Sequence, residues 1–133
     1  MNGVEPIVRL MLLCDDVERR ADAPTKVNIV GLVHAIDIPE EAEFPIVIDQ
    51  LTIYLALTGG RGSARLQIVG VYADTEEVAF QNPERSVDFG TEPLVVHGLT
   101  FRVRAITIHH PGLYLIQIRC NGRVIAHQPL LVR

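Results

Sequence analysis

The chain has 133 residues, 48% of them hydrophobic and 21% charged, and a net charge of −4 at pH 7; folding at this length buries roughly two-thirds of the unfolded chain's surface. This composition excludes a disordered tail, and the lack of a long apolar run excludes a membrane-spanning helix. Eleven of the twelve basic residues are arginine, so there is no lysine-rich tail for nonspecific nucleic-acid binding, and the expected partners are proteins, with neither nucleic acid nor membrane among them.

Residues 7–14 form the first expected strand, apolar on both parities apart from Arg9. The run Leu10-Met-Leu-Leu-Cys14 is superficially like a bacterial lipoprotein signal. However, Glu5 and Pro6 stand where a basic region belongs, Arg9 interrupts the apolar stretch, and Leu13 is too large to precede a cleavage site. A cytoplasmic location is therefore expected. Residues 15–25 follow as an acidic connection carrying Asp15, Asp16, Glu18 and Asp22. Residues 26–36 read as a second strand that is apolar on two faces, in which Gly31 signals a bulge or the close approach of another segment. A second acidic connection, 37–49, carries Asp37, Glu40, Glu41, Glu43 and Asp49, and Pro45 within it prevents regular ladder pairing.

Residues 50–58 alternate cleanly, with Leu51, Ile53, Leu55 and Leu57 inward and Thr52, Tyr54, Ala56 and Thr58 outward. The glycine-rich segment 59–63 lacks the Lys-Ser/Thr ending of a phosphate-binding loop and reads as a hairpin turn. It returns the chain through inward Leu66 and Ile68, with Arg65 and Gln67 outward. Residues 76–81 form a short strand ended by Asn82-Pro83. In 98–108, Leu99, Phe101, Val103 and Ala105 share one face and Thr100, Arg102 and Arg104 the other; the phase then shifts at Ile106 and Ile108, which predicts a bulge near Ala105. Arg102, Arg104 and Arg119 are candidates for a common basic sheet face.

The last two strands, 113–120 and 123–131, flank Asn121-Gly122, two residues that tolerate positive φ and so favour a type I′ turn. That turn predicts Cys120 opposite Arg123, Ile118 opposite Ile125 and Ile116 opposite His127. Tyr114, Ile116, Ile118 and Ile125 then face the core, while Gln117, Arg119, Val124 and Ala126 face outward. About eight strands joined mainly by short connections imply an all-β, antiparallel β-sandwich forming one domain over 1–133.

Chemistry is sparsely marked. Cys14 and Cys120 sit in apolar strands and are expected as buried free thiols. No histidine is placed beside Cys14 to make it a nucleophile. Adjacent His109 and His110 point to opposite faces of an extended segment, so with His127 and Cys120 they make a poor zinc set. Calcium would draw on Asp15, Asp16, Asp37 and Asp49, although their spacing matches no known loop. No catalytic or cofactor-binding residue is assigned, and no cofactor is expected.

Leu12-Leu-Cys-Asp-Asp-Val17, Lys26-Val-Asn-Ile-Val-Gly31, Phe44-Pro45, Pro111-Gly-Leu-Tyr114 and Asn121-Gly122 together span most of the chain. In this combination the sequence resembles a family of small bacterial proteins catalogued only as a domain of unknown function. The resemblance implies a bacterial, all-β, single-domain protein and brings no activity, ligand or catalytic residue.

The residues themselves favour a noncatalytic β-sandwich interaction module. A sandwich has one interior, so the second apolar face of strands 7–14 and 26–36 needs other cover, which a second subunit or another protein would supply. Val8, Leu10, Val30 and Leu32 are the interface candidates. The alternative is a small-ligand or calcium-dependent binding domain built on acidic loops 15–25 and 37–49, with a hydrolase a distant third.

Overall fold

The structure, a computed structural model, describes residues 3–133 apart from the side chain of Pro24. Its strands are β1 (Ile7–Arg20), β2 (Ala23–Leu32), β3 (Ala35–Ile36), β4 (Ile46–Thr58), β5 (Ser63–Tyr72), β6 (Val78–Gln81), β7 (Arg85–Asp88), β8 (His97–Ile108), β9 (Gly112–Cys120) and β10 (Arg123–Val132). They form two sheets, one ordered β2-β1-β4-β8 and the other β3-β10-β9-β5-β6, with β7 also paired to β5. The expected all-β sandwich is therefore the fold. The expected strands all appear, with β3 split from the second of them and β7 added.

The core lies where the period-two alternation places it. Leu51, Ile53, Leu55 and Leu57 of β4, with Met11 and Leu13 of β1 and Phe101, Val103, Ile106 and Ile108 of β8, meet Leu66, Ile68, Tyr114, Ile116, Ile118, Leu130 and Val132 of the facing sheet. β4 and β8 change phase together: Gln50↔Arg104 and Ile48↔Ile106 keep one register while Ala105 takes a φ of 53°. The bulge expected near Ala105 is thus a kink shared by two paired strands.

Several local expectations are corrected. Residues 15–25 are not a loop, because β1 continues to Arg20 and turns through Ala21-Asp22 into β2. The connection 37–49 is shorter than expected, since β4 begins at Ile46 and takes in Asp49. The segment 26–36 breaks after Leu32, and β3 crosses to pair in parallel with β10 of the other sheet. Segment 59–63 is likewise no hairpin turn, because β4 and β5 belong to different sheets. Every one of these errors concerns which partner a strand finds, a nonlocal choice that alternation does not encode.

In the last hairpin, Asn121 and Gly122 have φ values of 50° and 84°, as a type I′ turn requires, and Arg123 does face Cys120. A register shift between Val124 and Ala126 then places Ala126 opposite Ile118 and Gln128 opposite Ile116. The expected Ile118–Ile125 and Ile116–His127 pairs are therefore replaced, and Ala126 packs on the core instead of facing outward. One extra residue on β10 suffices for this, because a slip of one exchanges the faces of a strand.

Candidate functional site

β1 serves two ladders in succession. Residues 7–14 pair with β4, ending at Cys14↔Thr52, whereas β2 pairs with β1 from Cys14↔Leu32 to Arg20↔Ala23. Beyond Cys14 the β1–β2 hairpin leaves the β4 ladder and leans over the outer face of β4 and β8. Gly31 permits the bend: it lies between Val30 and Leu32, opposite Asp15, with a φ of 65°, and a Cβ there would fall 2.1 Å from Asp15 Oδ2. The close approach expected at Gly31 is realised at this hinge.

Polar groups of β4 and β8 hold the arm. Thr52 Oγ1 donates to the Asp15 carbonyl at 2.9 Å, and Gln50 Nε2 donates to the same oxygen at 3.1 Å. Thr52 is consequently buried, although alternation alone assigned it to the exposed face. Arg102 reaches across β4, donating from Nε to Asp16 Oδ1 and from Nη2 to the Val17 carbonyl, both at 2.9 Å. Asp16 Oδ1 also accepts from the Val17 N–H, and these two contacts, the backbone bond foremost, lower the Asp16 pKa below the ordinary carboxylate range. Cys14, buried at the hinge, directs its thiol toward the Thr52 carbonyl; desolvation raises its pKa, and Asp16 and Asp15 raise it further. Such a thiol is protonated at neutral pH and a poor nucleophile.

Between arm and sheet run two adjoining cavities. One of about 390 Å³ is lined by Arg19, Thr25, Val27, Tyr54, Val96, Gly98 and Thr100. The other, about 450 Å³, is lined by Val17, Arg19, Arg85, Gly98, Thr100 and Arg102. Gly98 makes room for the Tyr54 side chain at the cavity, because a Cβ there would lie 2.6 Å from the Tyr54 hydroxyl. Arg85 is held over Phe101, its guanidinium 5.1 Å from the ring centre while Nη1 donates to the Thr100 carbonyl at 2.8 Å.

A separate cavity of about 350 Å³ is lined by residues including Tyr72, Asp74, His110 and Tyr114. There Tyr72 stacks on His110 at 4.5 Å, and the Tyr114 hydroxyl donates to the His110 carbonyl. Burial pushes the Tyr114 pKa up to about 12, so this hydroxyl stays a donor at neutral pH.

The residues singled out from sequence separate. Asp16 pairs with Arg102, Asp37 pairs with Arg133 at 2.9 Å, and Asp49 lies exposed on β4. Among the described residues no three His, Cys, Asp or Glu side chains gather as metal ligands. Arg102 and Arg104 share β8, but Arg119 belongs to β9 in the other sheet, so the three have no common face. Leu10, Val30 and Leu32 are exposed, whereas Val8 packs against the core because the register shifts between Val8 and Leu10. Sequence reasoning missed Arg19, Arg85, Gly98 and Thr52. The available signal was Gly98 opening a strand that runs beside tyrosine-bearing β4.

No curated protein matches the chain. Among solved structures it is similar to a Pseudomonas fluorescens alkylpurine DNA glycosylase, AlkC, bound to DNA containing an abasic site analog. The TM-score is 0.51 at 11% identity, covering 97% of this chain, which spans about 30% of the glycosylase. It is also similar to an immunoglobulin-like protein from Pseudomonas aeruginosa, with a TM-score of 0.37 and 13% identity, covering 93% of this chain and 97% of that one. At these identities the glycosylase likeness is one of fold. Over residues 9–133 the chain matches the model of a family of unknown function, DUF6941, and it belongs to that family.

Proposed function

We propose that this chain is a noncatalytic β-sandwich interaction module that associates with a second copy through the edge of its bent hairpin. The carrying observation is β2, an edge strand of ten residues whose only hydrogen-bonded neighbour among the described residues is β1. An unpaired edge presents a row of N–H and C=O groups that another strand can complete. Lys26 blunts the end near the turn, but 27–30 carries no charge, and Val30 and Leu32 are exposed at 39% and 50%. A second copy suits this edge because antiparallel pairing about a two-fold axis sets no like charges against each other along 27–30. Leu12 and Leu32, which line a shallow cavity of about 280 Å³ beside the hinge, extend the apolar surface.

Sedimentation across a concentration series tests the proposal. The wild-type chain should exceed its 14.7 kDa monomer mass, and Val30→Glu should yield a folded monomer, since each copy would bring a carboxylate to the contact. A wild-type chain that stays monomeric up to roughly 100 µM, a concentration that would populate even a weak dimer, overturns self-association.

A further inference from the structure

We infer that the groove beneath the β1–β2 arm is a binding site for a small phosphoryl-type oxyanion, clamped by Arg19, Arg85 and Arg102. Three arginines and no acidic residue line one cavity of about 450 Å³, and Asp16 is paired to one of them, Arg102. Even with Asp16 offsetting Arg102, the lining is positive, the reverse of the chain as a whole, whose net charge is −4. Local excess of that kind, in a concave site, concentrates anions that the rest of the surface repels.

Two of the three guanidinium groups are already fixed. Arg102 spends Nε and one Nη2 proton on Asp16 and Val17, which leaves its Nη1 end unbonded among the described residues. Arg85 spends an Nη1 proton on the Thr100 carbonyl and lies over Phe101, leaving Nε and Nη2 unbonded among the described residues. Such planar forks match the oxygens of phosphate or carboxylate, and holding them in advance reduces the ordering cost on binding. Arg19 comes from the arm, paired through its backbone with Val27; its side chain makes no hydrogen bond or ion pair among the described residues, so it is the group available to close on a ligand. The adjoining cavity supplies Thr25, Thr100 and Tyr54, whose hydroxyl groups can donate to further oxygens or to the body of a phosphate ester. A phosphoryl group fits better than a single carboxylate because it offers three oxygens and up to two charges to the three arginines that line the cavity.

Calorimetric titration of the full chain with inorganic phosphate, pyrophosphate and glycerol phosphate, in about 50 mM salt so that screening leaves the groove's field intact, tests the site. Saturable one-to-one binding is expected, weakened about tenfold by Arg19→Gln and by Arg85→Gln, the loss of one charge-assisted contact. Arg119→Gln, on the other sheet, should leave it unchanged. Tighter binding of glycerol phosphate than of inorganic phosphate would place an ester in the groove, and the reverse would mark the free ion; both support the site. Arg19→Gln keeps the test interpretable if Arg85→Gln misfolds, because the Arg19 side chain makes no hydrogen bond among the described residues and its strand pairing with Val27 runs through the backbone. Absence of saturable binding, equal weakening by Arg119→Gln, or clear preference for a DNA or RNA oligomer over all three anions would overturn the assignment.

Discussion

The two hairpins of this chain contrast in what holds them. The β9–β10 hairpin lies within its sheet, pairs along its length with β5 on its other side, and turns at a pair of residues whose positive φ values suit the turn. The β1–β2 hairpin turns without such a signal, leaves the β4 ladder at Cys14, and is held by side chains from the strands it leans over. The first is specified by local chemistry plus alternation; the second exists because Gly31 allows a hinge and because Thr52, Gln50 and Arg102 meet its backbone. A hairpin that pairs inside a sheet is spent on the core, while one that bends away creates both a free edge and a groove.

Breaking the hinge should have the larger effect. Gly31→Val combines a φ of 65°, which a β-branched residue resists, with contact against Asp15, and should lower stability by about 2 kcal/mol in urea unfolding. An unchanged midpoint would show that the arm bends without the glycine. Gly122→Val isolates the backbone term: its φ is 84°, yet nothing lies within 4 Å of an added Cβ, so a loss of about 1 kcal/mol is expected. Equal losses at both positions would mean that Asp15 yields freely and that the two hairpins are alike in this respect.

The smallest effect concerns Asp16, which is exposed and whose ion pair is screened by salt. Its folded pKa is depressed, so its contribution is present above the unfolded value of about 4 and is lost as pH falls through the lower folded value. Wild type should therefore have a higher urea midpoint than Asp16→Asn at neutral pH, and the gap should close in acid. A gap that persists in acid would place the stabilisation in neutral hydrogen bonds, and its absence at neutral pH would show that Thr52 and Gln50 hold the arm alone.

What was legible in the sequence follows from how far each signal reaches. Leu51, Ile53, Leu55 and Leu57 announce a buried face because side chains two apart share a side of a strand. The Asn121-Gly122 turn announces itself because few residues accept its φ values. Asp15, Asp16 and Glu18 looked like a loop because acidic residues are poor strand formers, a preference that pairing with β2 overrides. Ile125 packs against the core as expected, but its pairing with Ile118 fails for a different reason, since a bulge of one residue is invisible to a period-two pattern.

The sequence by itself determined an all-β chain, the apolar core faces of its clearly alternating strands such as 50–58, its final turn and the burial of both cysteines, all of which depend on local periodicity and composition. Only the tertiary structure decided that Arg19, Arg85 and Arg102, separated by as many as 83 positions (102 − 19), line one groove, that Val8 turns inward while Val30 stays exposed, and that β2 keeps a free edge. Those outcomes depend on which strand pairs with which and on where a hinge lets one leave its sheet, and both are set by contacts between residues far apart in the chain.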